Sequence, residues 1–230
     1  MANKNVIYCP IIGRFDTLHD PEIITPGWDY ICFTDDKDLK SNTWDIRLIK
    51  KDPNLSNAQM AKKIIIMYHH YVPDYDLSIL VPGYNVIKVN LDYFVNKYFS
   101  KKDNLTYDML VLKHPKNRRK CCYRVANFVA NRTKDPKAKK AILDQRAYYF
   151  KKGMPICIPS HPTGITIRRK GNKNLEKHCE LWWNEILKHS TRDQLSLGYI
   201  LWKYNLIKCK SIDYKNFNVF FQGNEIHNEI

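Results

Sequence analysis

Short apolar runs separated by helix-length amphipathic segments constrain the fold of this chain more than any other feature. Val6 to Ile12 is one such run, closed by Gly13, and Tyr30 to Asp36 is a second, ending in acids. Thr43 to Ile49 alternates through Trp44, Ile46 and Leu48. Leu77 to Val81, Met109 to Leu112 and Gly164 to Arg169 have the same character, Val86 to Asn90 is extended, and Ile207 to Ile212 and Phe217 to Phe221 read as late strands. Apolar runs of about four to eight residues bounded by turn signals read as buried strands. Between them lie helical patterns. Ser56 caps one that reaches Tyr71, with Met60, Ile64, Met67 and Tyr71 on its inner face. Asp135-Pro136 opens another, with cap and first-turn proline, and Gly153-Met154-Pro155 closes it. Strands and helices alternating at this spacing predict an α/β fold with a mostly parallel sheet flanked by helices. At 230 residues the chain suits one such domain over 1–230.

Lys177 to Lys203 reads as two helices with a break at Arg192-Asp193-Gln194. Leu175, Cys179, Trp182, Trp183, Ile186 and Leu187 recur at helical spacing and give the first helix a wide apolar face. Ser190 followed by Asp193 is close to a capping box, and the second helix is expected to bury Leu195, Tyr199 and Trp202. A carboxylate and a guanidinium thus sit in the first turn of a braced helix, where anions bind and polar groups are held rigidly. Capping and solvation account for the same two residues.

Net charge is +15, which favours acidic partners such as nucleotides, phosphorylated sugars or an anionic membrane surface. No nucleic-acid motif is recognisable, so no specific nucleic acid is expected. No apolar run is long enough to span a bilayer, which leaves peripheral membrane contact as the only kind expected. The N-terminal run is followed by Arg14 and Asp16 and lacks a small-residue cleavage site, so it reads as a strand and not as a signal peptide. Seven cysteines, odd in number and without CxxC spacing, fit free thiols in a reducing, cytoplasmic setting. His114, at the end of an apolar run and ahead of the basic cluster Lys116 to Lys120, reads either as a proton carrier or as a hydrogen-bonded structural residue.

Several stretches, in order, resemble the glycosyltransferase-like family catalogued as domain of unknown function 616, which includes plant mucilage-related proteins and bacterial relatives. They are Ile7-Tyr8 with Gly13-Arg14-Phe15-Asp16; Ile31-Cys32-Phe33-Thr34-Asp35; Ala61-Lys62-Lys63-Ile64; Asp76-Leu77-Ser78-Ile79; and Lys113-His114-Pro115. Gln145 with Gly153-Met154-Pro155 follows, and then Trp182-Trp183 through Ser190-Thr191-Arg192-Asp193-Gln194-Leu195-Ser196. The resemblance covers residues 6 to 204 and implies a GT-A-like, Rossmann-related fold that binds a nucleotide-activated sugar, UDP-linked in the first instance, and a glycan or small acceptor. Under it, Gly13, Arg14 and Asp16 line the nucleotide, Thr34 and Asp35 meet uracil or ribose, and Gly83 belongs to the donor-binding set. Lys63 and His114 approach the phosphates. Arg192, Asp193 and Gln194 face the donor sugar and acceptor, with Asp193 the candidate base or sugar-hydroxyl acceptor.

One departure bears on the chemistry. The family strand reads like Ser-Ile-Trp-Ile-Asp-Gly-Asn, and its aspartate acts as a metal-binding acid. Here the stretch is Ser78-Ile79-Leu80-Val81-Pro82-Gly83-Tyr84, and a later family acid is Asn90. Proline offers no carboxylate. Mn²⁺ or Mg²⁺ use therefore stays open: lysines could neutralise the diphosphate, or Asp92 or Asp35 could supply a ligand. A third option is a degenerate fold that only binds nucleotide or carbohydrate. No metal ligand is assigned from the sequence.

Overall fold

The computed structural model describes residues 4–100, 106–114, 121–170, 172–214, 217 and 219–223. The chain opens with strands β1 (Asn5–Ile11), β2 (Trp28–Thr34) and β3 (Asp45–Leu48), then helices α1 (Asn57–Ile66) and α2 (Tyr68–Tyr71). Strands β4 (Leu77–Leu80) and β5 (Asn85–Ile87), helix α3 (Leu91–Tyr98) and strand β6 (Met109–Lys113) follow. Helices α4 (Cys122–Arg132) and α5 (Pro136–Lys151) lead to β7 (Thr166–Arg169). The chain continues through α6 (Lys173–Lys188), α7 (Asp193–Tyr204), β8 (Cys209–Asp213) and β9 (Phe221–Gly223). Seven strands form one sheet in the order β3-β2-β1-β4-β7-β6-β8. Only β7 runs antiparallel to its two neighbours. This is the α/β fold with a mostly parallel sheet that the alternating runs predict.

Strand alternation sorts the core into two layers. Val6 and Tyr8 of β1 face the same side as Ile31 and Phe33 of β2, where residues of α1 and α4 to α7 pack. Ile7, Cys9 and Ile11 face the other side, with Cys32, Ile79, Phe94 of α3 and Phe217. Both faces of β1, β2 and β4 are covered, which is why these strands read as unbroken apolar runs.

Some expectations need correction. The helix capped by Ser56 has its capping box, with Gln59 reciprocating, but it breaks at Met67 before α2. The alternating third strand is the sheet edge, and Leu48 is 58% exposed. The extended stretch from Val86 joins a separate ribbon with β9, and Asn90 ends it by capping helix α3. Ser190 is not a helix cap: Arg192 holds that position with no side-chain cap, while Ser190 donates to Gln145 Oε1 at 2.5 Å. Trp202 is only half-buried. The basic cluster 116–120 lies outside the described residues.

Candidate functional site at the carboxyl edge of the sheet

The order of connections reverses beside β1: β2 and β3 follow on one side, and β4 lies on the other. Ligands usually bind α/β sheets at such a point; here the β1 and β4 loops are joined by hydrogen bonds, and the open cleft lies over the β1 and β2 loops. The β1 loop turns at Gly13 and Arg14, both with positive φ, 69° and 57°. Gly13 has a second reason to be glycine, since a Cβ would stand 2.2 Å from Asn57 Nδ2 at the start of α1. Its amide donates to Asp35 Oδ1 at 2.7 Å, and Lys51 pairs with Asp35 Oδ2 at 2.5 Å. Burial alone would raise the Asp35 pKa, but the Lys51 and Gly13 hydrogen bonds outweigh it and hold the carboxyl below its ordinary value. Arg14 reaches across to Asp36 and Asp38 at 2.8 to 2.9 Å. A shallow cleft of ≈ 470 Å³ lies over Gly13, Arg14, Asp35, Asp36, Lys37 and Asp38.

Thr34 is fully buried, and its hydroxyl accepts from the Asp36 amide at 3.0 Å. Asp16 accepts from Thr17 N at 3.0 Å and from Tyr84 N at 3.4 Å, which ties the β1 loop to the β4 loop. Gly83 completes that junction. A Cβ there would stand 2.6 Å from Ile11 Cδ1, and its carbonyl accepts from His19 N at 3.0 Å.

The second half of the site centres on Asp193, 5% exposed in the first turn of α7. Its Oδ2 accepts from Lys62 Nζ of α1 and, at 2.7 Å, from Thr163 Oγ1 just before β7. Because β7 is antiparallel, its amino end reaches the same edge as the carboxyl ends of β4 and β6. Gly164, next to Thr163, lies against Pro82: a Cβ there would stand 3.4 Å from Pro82 Cγ. Thr163 and Gly164 thus link the buried carboxylate to the end of β4.

Helix α7 is held rigidly behind Asp193. Trp182 Nε1 donates to Ser196 Oγ at 3.1 Å, and Tyr149 stacks on Tyr199 with ring centroids 3.9 Å apart. Gln145 bridges Ser190 to Tyr149, whose hydroxyl donates to Glu185 at 2.7 Å. Burial, reinforced by Glu185, pushes the Tyr149 pKa far up and keeps it a donor.

The remaining expected residues divide. Arg192 is exposed and Gln194 half-buried beside Asp193. His114 is 9% exposed and follows β6 at the same edge. Near it, His161 Nδ1 hydrogen-bonds Leu112 O at 3.1 Å, and burial lowers its pKa. Lys63 stands apart from the Asp193 group, 3.8 Å from Asp52. Lys62, Thr163, His161 and Lys51 were not singled out as site residues. Only Lys62 left a trace, as half of a lysine pair on an amphipathic helix.

A divalent ion needs several oxygen ligands. Among the described residues, no group of three or more His, Cys, Asp or Glu side chains is placed to hold a metal. Asp35 and Asp36 are committed to Lys51 and Arg14, and the residues at Pro82 do not form such a donor set.

A seven-stranded, mostly parallel sheet with one reversed strand, and a polar site along its carboxyl edge, defines an α/β protein of glycosyltransferase-like build. The family model of the TOD1/MUCI70 glycosyltransferase-like domain matches residues 3–227, and the chain belongs to that family. No curated protein matches the chain. Among the described residues no helix is long and apolar enough to cross a membrane.

Proposed function

We propose that the chain is a glycosyltransferase that moves a sugar from a nucleotide-sugar donor, UDP-linked in the first instance, to a glycan or small acceptor. The observation that supports it is the Lys62–Asp193–Thr163 group beside the Pro82 strand end. A carboxylate held by an ammonium and a hydroxyl is fixed in direction, as a base or sugar-hydroxyl acceptor must be. The nucleotide lies over the Gly13 to Asp16 loop and the Thr34–Asp35 strand end. Positive charge at this edge stabilises the leaving diphosphate. No step is assigned to a metal.

The test is a thermal-shift panel of UDP, GDP, CDP and their sugars, with Mn²⁺ and with EDTA, followed by donor turnover. A selective rise that persists in EDTA, with turnover lost in Asp193→Asn, supports the reading. No shift with any nucleotide overturns it. Pro82, together with the acid–base pairs closing over the Gly13 cleft, favours a second reading, a catalytically degenerate fold that binds nucleotide or carbohydrate. That reading predicts binding of nucleotide or carbohydrate without turnover, and absence of any nucleotide shift favours it.

A further inference from the structure

Helix α5 is apolar on two faces. Ile142, Gln145 and Tyr149 point inward. On the opposite side Leu143, Ala147 and Phe150 recur at i, i+4 and i+7, so they form one stripe along the helix. Phe150 is 64% exposed and Leu143 38%. Lys139, Lys140 and Lys151 flank the stripe, all exposed, and Lys152 follows at the helix end. Ile156, 66% exposed, lies in the loop just beyond. A core helix has no structural need for an outer apolar stripe edged with lysines.

The surroundings share that charge. Residues 122–156, which hold α4 and α5, contain nine Lys or Arg and two acids, Asp135 and Asp144. Both acids are already engaged: Asp135 caps α5, and Asp144 pairs with Lys140 at 2.6 Å. The face therefore combines free positive charge with exposed aliphatic and aromatic side chains. Nucleic acid would use the charge and could stack on Phe150, but it has no use for Leu143 and Ile156. A bilayer of anionic lipid uses all of them: phosphates and carboxylates meet the lysines, and the acyl boundary takes the apolar stripe.

We propose that the outer face of α5 and the Gly153–Cys157 loop dock on an anionic lipid surface. The proposal does not depend on the glycosyltransferase reading, because its readout is partitioning and not turnover.

The test is co-sedimentation of the whole protein with vesicles of phosphatidylcholine alone and of phosphatidylcholine mixed with phosphatidylglycerol. Binding is expected to the mixed vesicles only, weakening as salt rises. Lys151→Glu/Lys152→Glu should lower partitioning about tenfold or more. Phe150→Ser/Ile156→Ser should lower it severalfold and abolish the fraction that survives high salt. All four side chains are exposed, so unchanged circular dichroism is expected for both variants. Lys50→Glu/Lys208→Glu, a charge-matched change outside this face, should leave binding unchanged. The proposal is overturned by absence of binding to mixed vesicles, by an equal loss in the Lys50/Lys208 variant, or by self-association without lipid binding. Retention on a duplex or single-stranded oligonucleotide with none on vesicles also overturns it.

Discussion

Removing the Asp193 carboxylate while keeping its shape tests the site most directly. In Asp193→Asn the Thr163 hydroxyl keeps an acceptor, but the Lys62 ammonium loses its counter-charge. Breaking a buried ion pair from one side costs about 3–5 kcal/mol. Lys62 retains 26% of its side-chain exposure, against 7% for Asp193, so water can reach the ammonium. That exposure reduces the expected loss to about 1–2 kcal/mol. In a protein of this size the melting temperature then falls by about 2–8 °C. In Lys62→Met/Asp193→Asn no ammonium is left unpaired, and stability should return to within about 1 kcal/mol of the parent. Sugar transfer should stay lost in both, because the carboxylate is absent from both. Thermal melting beside a donor-turnover assay reads the two effects separately. A single variant melting within about 1 °C of the parent refutes the reasoning, as does a double variant whose loss equals the sum of the single losses.

Other outcomes follow from the same geometry. Lys62→Ala should abolish transfer while Lys63→Ala retains most of it; the reverse pattern in a turnover assay would return the role to Lys63. Gly13→Ala combines positive φ with a collision at Asn57 and should cost about 1–3 kcal/mol, seen as a lowered denaturant midpoint; an unchanged midpoint contradicts the packing. His178 is fully buried, and burial, then the Arg168 charge, lowers its pKa to about 3. Its unfolded value is about 6.5, so between these limits only the unfolded chain binds the proton, and stability falls as pH drops through that window. His178→Leu should flatten that slope, and parallel pH profiles for parent and variant would argue against it. Asp35 has a depressed folded pKa, so its stabilising contribution is full above the unfolded value and fades as pH falls through the folded one. Asp35→Asn should remove that part of the acid limb, read by melting at successive pH values.

The middle of the sheet was legible because its strands β1, β2 and β4 are buried on both faces and announce themselves as apolar runs. Helix α4 was not. Its buried positions include small residues, Cys122, Ala126 and Ala130, and the side chain of its cap Cys121 bonds to Ile156 O and not to the helix, so neither a bulky stripe nor a start signal appears. The ribbon partner of β5 lies far along the chain at β9, and local pattern carries no information about that pairing. Ser190 looks like a cap in sequence, but Gln145 on a distant helix takes its hydroxyl as a donor. The lysine pair shows the limit most plainly. Lys62 and Lys63 are adjacent on α1 and chemically equal, and which one meets Asp193 depends on how α1 and α7 pack. The ordered motifs single out Asp193, and only the tertiary structure identifies its partners.

The separation of 131 residues between Lys62 and Asp193 has a consequence for how the protein acquires activity. As the chain leaves the ribosome, β1 to β4 and α1 emerge first and pair with one another before the later strands exist. The Gly13–Asp36 cleft belongs to that early portion. Asp193 arrives much later, after β7 has inserted in the opposite direction between β4 and β6. Closing so long a loop is slow relative to local pairing. A nascent or truncated chain therefore carries the Gly13 cleft long before it carries the carboxylate, and the proposed sugar transfer begins only when the last third of the molecule has locked into the sheet.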